Sequence, residues 1–148
     1  ARTIADALDF VGMLALEFFV DRGGVTYVNE LSPRPHNSAH YTIEACETSQ
    51  FEQHLRAVAG LPLGSSALRH AAVTFNVLGA PAAYGKPKYV GFGAELGDAN
   101  IAVHSYDKPE VRPGRKMGHA TVVAPTPEAA IALADRVEPL IRAESFDE

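Results

Sequence analysis

At 148 residues, 47% hydrophobic and 21% charged, the chain has a globular balance that can bury one core or two small ones, which excludes a disordered tail. The formal net charge of -5 argues against a general nucleic-acid binder, because affinity for a phosphate backbone comes from clustered cations, and the one cysteine, Cys46, excludes an internal disulfide and suits a reducing, cytoplasmic setting. No apolar run approaches the roughly 20 residues that span a bilayer, so neither a membrane segment nor a secretory leader is expected.

Ile4, Ala5, Ala7 and Leu8 fall at helical spacing, with Gly12 placed to stop the helix. No start signal precedes it, so the chain is expected to be the remainder of a longer polypeptide. The apolar runs GMLALEFFV and VTYVNEL flank Asp21-Arg22-Gly23-Gly24, which predicts a β-hairpin with the two glycines in the turn. SPRPHNSAHY reads as loop from its prolines and Ser/Asn content. TSQFEQHLRAVAG, with a cap at Thr48 or Ser49, apolar Phe51, Leu55 and Val58, and terminal Gly60, predicts a helix.

LPLGSS, Leu61 to Ser66, is a connector, and the pattern then changes to short β-like runs: AAVTFNVLG, YVGFG, IAVHSY and HATVVA. TPEAAIALADRVEPLIRA should be a helix capped by Thr126, opened by Pro127 and interrupted at Pro139. Together these elements predict an α+β chain with a domain boundary at the connector.

A two-residue turn at Gly23-Gly24 sets Glu17 opposite Glu30 on one face. Like charges directly opposed in an antiparallel pair repel, so a cation between them is indicated, and a divalent metal with oxygen preference, Mg²⁺, fits two carboxylates on a nucleotide phosphate. A hairpin with both glutamates in solvent is the alternative. The second strand runs into Asn29-Glu30-Leu31-Ser32-Pro33-Arg34-Pro35-His36-Asn37-Ser38-Ala39-His40. This segment, continuing through YTIEACETSQFEQHLRAVAGLPLG, resembles the 5-(carboxyamino)imidazole ribonucleotide synthases, a family of ATP-grasp ligases, and RPGRKMGH at Arg112 to His119 is similar to that family's carboxy-terminal signature.

The resemblance implies the carboxy-terminal part of an ATP-grasp domain over residues 1–65, then a small β-rich domain with a terminal helix over 66–148. It implies ATP-dependent carboxylation of 5-aminoimidazole ribonucleotide by way of carboxyphosphate from bicarbonate, in purine biosynthesis. Glu17 and Glu30 would hold Mg²⁺ on ATP, and Asn29 with Glu30 would border the nucleotide. Ser32 stands where many ATP-grasp enzymes have Asn, which leaves the second metal ion's ligands open. Arg34 and His36 suit an anionic intermediate and are the candidate catalytic pair, with Asn37 and Ser38 beside them on the substrate. Arg34 could instead make a surface ion pair.

Lys108, Arg112, Arg115 and Lys116 concentrate positive charge in an acidic chain and are expected to hold the ribose phosphate, converging with Arg34 and His36 on one cleft. A solvated turn is the alternative. The resemblance further implies a homodimer and a missing amino-terminal half, without which the fragment would be inactive. Competing readings are a formate-dependent glycinamide ribonucleotide transformylase and a non-catalytic assembly module. A zinc site on His36, His40, Glu44 or His54 is rejected for lack of a convincing spacing. A nucleophilic Cys46 is set aside for a packing role, and a dinucleotide fingerprint at Gly91, Gly93 and Gly97 fails on spacing.

Overall fold

The computed structural model describes residues 1–93 and 98–146, which form two compact units, Ala1–Leu68 and Arg69–Glu148. Gly97 lies outside the described residues. In the first unit α1 spans Arg2–Ala7 and is followed by the antiparallel hairpin of β1, Ala15–Val20, and β2, Thr26–Ser32. The chain leaves α1 through Asp9, whose φ of 47° is left-handed, and not at the expected Gly12. Gly12 has a different use, because a Cβ there would lie 2.9 Å from the His54 ring.

The hairpin corrects the expected two-residue turn. Asp21 pairs with Val25 around the three-residue loop Arg22–Gly24, with Gly24 at φ 82°. Such loops commonly combine a type I turn with a left-handed glycine, and Asp21 Oδ1 completes this one by accepting from the Gly23 and Val25 N–H groups at 2.8 and 2.9 Å.

SPRPHNSAHY is not wholly loop. It contains a 3-10 turn, Asn37–Ala39, and leads into the short helix α2, Thr42–Ala45. Helix α3, Gln50–Val58, starts from Ser49, whose hydroxyl accepts from the Glu52 N–H. Gln53 then ties the connector to α3: its Oε1 accepts from the Gly64 N–H at 3.0 Å and its Nε2 donates to the Gly64 carbonyl at 2.6 Å.

The second unit contains β3, Ala71–Leu78, β4, Pro87–Val90, β5, Ile101–Ser105, β6, Lys116–Ala124, α4, Pro127–Val137, and β7, Arg142–Ser145. β6 lies between β3 and β5 in an antiparallel sheet, and β4 pairs with β7. Val77, Val111, Met117 and Val122 are fully buried with Ala134 and Val137 of α4. Each such aliphatic side chain stabilises the fold by about 1.5–3 kcal/mol. The expected long terminal helix stops at Val137. Pro139 sits in a 3-10 turn, Glu138–Leu140, and the chain ends its described course as a strand.

Candidate functional site

The pairing of Glu17 with Glu30 survives the changed turn because a second irregularity offsets the first. Near the loop Phe18 pairs with Val28 and Val20 with Thr26; beyond it Glu17 pairs with Glu30, and Asn29 is the extra residue of a β-bulge between them. A bulge re-aims side chains, and Asn29 Nδ2 lies 3.4 Å from Glu17 Oε2. Ser32 Oγ donates to Glu30 Oε1 at 2.9 Å, so this hydroxyl is turned onto the second carboxylate. Ser32 itself is buried.

Glu17 also meets the following loop, with its Oε1 3.0 Å from His36 Nε2. The other ring nitrogen of His36, Nδ1, is 2.8 Å from Ser38 Oγ. Arg34 is exposed and its guanidinium donates to the Pro35 carbonyl at 3.0 Å. Asn37 opens the 3-10 turn between them. Of the candidate zinc ligands, His36 faces Glu17, His40 stacks on Phe51 at 5.7 Å, and His54 Nδ1 accepts from the Met13 N–H at 3.1 Å. Among the described residues no group of three or more His, Cys, Asp and Glu side chains is arranged to hold a metal ion. Two opposed carboxylates are instead what Mg²⁺ commonly takes from a protein when phosphate oxygens and water complete its shell.

Gln50 is the residue sequence reasoning missed. It is only 2% exposed, and both ends of its amide bond the backbone of His36: the His36 N–H to Oε1 at 2.8 Å, and Nε2 to the His36 carbonyl at 2.9 Å. Its signal in the sequence is faint, a glutamine at the first position of an amphipathic helix. Cys46 is buried, and burial pushes its thiol above the ordinary value, which agrees with packing.

In the second unit, Lys116 is the first residue of β6 and not part of the turn. Lys108 Nζ donates to the Lys116 carbonyl, Arg115 donates to the Glu110 carbonyl at 3.0 Å, and Arg112 pairs with the Glu110 carboxylate at 3.0 Å. Lys108 is thus tied to the start of β6, and Arg112 and Arg115 to Glu110 in the turn. In the same unit His104 and His119 stack with centroids 4.5 Å apart, and Tyr106 Oη is 3.0 Å from His119 Nδ1.

Residues 1–51 match the ATP-grasp domain family, and residues 72–133 match the phosphoribosylaminoimidazole carboxylase C-terminal domain family. A N5-carboxyaminoimidazole ribonucleotide synthase of Bacillus subtilis is 50% identical over 118 residues, covering 80% of this chain and 30% of the relative. The crystal structure of the Thermotoga maritima N5-carboxyaminoimidazole ribonucleotide synthetase superposes with a TM-score of 0.87 at 48% identity, covering 97% of this chain and 40% of that one. An Aspergillus clavatus N5-carboxyaminoimidazole synthase, crystallised with ADP and 5-aminoimidazole ribonucleotide, matches with a TM-score of 0.72 at 34% identity, over 86% of this chain and 34% of its own. The chain therefore spans about a third of the length of these relatives.

Proposed function

This chain belongs to the N5-carboxyaminoimidazole ribonucleotide synthase family of ATP-grasp proteins, matching its carboxy-terminal portion, and on that premise we propose that it supplies the metal and substrate ends of an ATP-dependent carboxylase acting on 5-aminoimidazole ribonucleotide. In that reaction a bicarbonate oxygen takes the γ-phosphoryl group of ATP, releasing ADP. The substrate amine then bonds to the carboxyl carbon as inorganic phosphate departs. Mg²⁺ would be held by Glu17 and Glu30 and would neutralise charge on the transferring phosphoryl group.

The chain's own residues do the rest. Asn29 and Ser32 orient the two carboxylates, and Asn29 with Glu30 borders the nucleotide. Arg34 offers a fixed fork of donors to bicarbonate or carboxyphosphate, and the His36 imidazole, already hydrogen-bonded to Glu17, can hold or pass a proton beside the amine. Asn37 and Ser38 line the same loop as substrate contacts. Lys108, Arg112, Arg115 and Lys116 bind the ribose phosphate. The reading places the enzyme in the cytoplasm as a homodimer, with the chain inactive apart from the amino-terminal portion its longer relatives carry.

The observation that carries this reading is the Glu17–Glu30 pair on a bulged hairpin, with an imidazole on one carboxylate and a hydroxyl on the other. In the full-length protein, Glu30→Gln should lower kcat for Mg²⁺-ATP by about 10²–10³-fold, the scale of losing one preorganised electrostatic contact, without lowering the unfolding midpoint. Wild-type turnover in that variant removes Glu30 from the site.

A further inference from the structure

His36 is fixed from two directions. Its ring is held between Glu17 and Ser38, at 3.0 and 2.8 Å. Its peptide is held by Gln50, whose side-chain amide accepts from the N–H at 2.8 Å and donates to the C=O at 2.9 Å. A primary amide has two donors and an oxygen acceptor, so it can copy a neighbouring strand and satisfy both backbone groups of one residue. The same Nε2 lies 2.9 Å from His40 Nδ1, and the Gln50 N–H donates to Thr42 Oγ1 at 2.9 Å. Gln50 is therefore bound at every polar end and buried on the first turn of α3. Such a satisfied buried network rigidifies what it touches.

We propose that Gln50 is a positioning residue for the carboxylation chemistry, setting the backbone of His36 so that its imidazole meets Glu17 and stays beside the reacting groups. This rests on the function proposed above. The same helix supplies an internal control, since Gln53 grips Gly64 in the connector with the same two-bond pattern, at 3.0 and 2.6 Å, but touches none of the candidate catalytic groups. If amide clamps merely hold loops to α3, the two glutamines should be equivalent.

The test compares Gln50→Met and Gln53→Met in the full-length protein, measuring steady-state kinetics, thermal unfolding and, without substrates, hydrogen exchange of the peptide containing His36. Gln50→Met should lower kcat by about 10²-fold, as expected when a catalytic group shifts by an ångström, while KM for ATP stays within about threefold. It should also lose His36 amide protection. Gln53→Met should lower the unfolding midpoint similarly yet keep kcat and that protection. Equal loss of kcat in both variants, or full kcat in Gln50→Met, overturns the proposal. Should Gln50→Met not fold, Gln50→Glu keeps the acceptor for the His36 N–H and should show a smaller loss of kcat; unchanged kcat there overturns it too. Absence of aminoimidazole-dependent turnover in the unsubstituted protein defeats the function, whereas unchanged exchange in Gln50→Met defeats the clamp.

Discussion

Glu17 and Glu30 face each other across two strands, and the groups around them are an amide, a hydroxyl and an imidazole. The amide and the hydroxyl aim a carboxylate without neutralising it, leaving its charge available to a cation. Arg34 differs, being exposed and bonded only to the neighbouring Pro35 carbonyl within the described network, so it can swing to an anion. Arg115 is held at the Glu110 carbonyl and presents charge from a fixed place. We expect this difference to split kinetically. Arg34→Ala should mainly lower kcat, by about 10²-fold, because its partner is charge that develops during reaction. Arg115→Ala should mainly raise KM for 5-aminoimidazole ribonucleotide, by about tenfold, with the wild-type KM itself rising with ionic strength. Steady-state kinetics at two salt concentrations check both; the reverse pattern contradicts the assignment. At this scale the charged candidates were legible because their side-chain types declare their chemistry. Gln50 was not, since a glutamine becomes informative only when its two partners, fourteen positions away, are seen.

The hairpin is the element on which the site depends, and its loop is built by one aspartate. Asp21 accepts from the backbone N–H of Val25 and of Gly23 and from the Tyr27 hydroxyl, and these bonds, led by that to Val25, hold its carboxyl below the ordinary aspartate value. A depressed folded value means the unfolded chain binds the extra proton first. The contribution is therefore complete above the ordinary carboxylate range and is lost as pH falls through the folded value. Asp21→Ala should lower the unfolding midpoint at neutral pH, and the gap from wild type should narrow on acidification; a pH-independent gap contradicts this account. The register was legible in the alternating runs and paired glycines, although the loop has three residues and the bulge at Asn29 restores the phase. β7 was missed despite a period-2 signal, with Ile141 and Ala143 buried and Arg142 between them exposed, because the helical pattern before Pro139 overshadowed it.

The two units differ in how completely they bury themselves. The second encloses a core around Val77, Met117 and Val122, whereas the first leaves Phe19, Val20 and Leu55 at 63%, 66% and 66% exposure. Apolar side chains this exposed are available to meet another surface. The relatives carry a much longer chain. We accordingly predict that the 148-residue chain alone shows no ATP-dependent carboxylation, since the nucleotide would be held from one side only; turnover by rigorously purified material contradicts this. No helix among the described residues is long and apolar enough to cross a membrane. The α+β order, with a hairpin and helix followed by short strands, was legible because hydrophobic period changes from 3.6 to 2 beyond the connector. Short α2 was not, being a single turn ordered by the contacts around Thr42. ADP release from the full-length protein, measured with bicarbonate and either 5-aminoimidazole ribonucleotide or glycinamide ribonucleotide, discriminates the substrate. Only the aminoimidazole nucleotide should stimulate release; stimulation by glycinamide ribonucleotide with formate, or no nucleotide-dependent ADP release at all, would overturn the assignment.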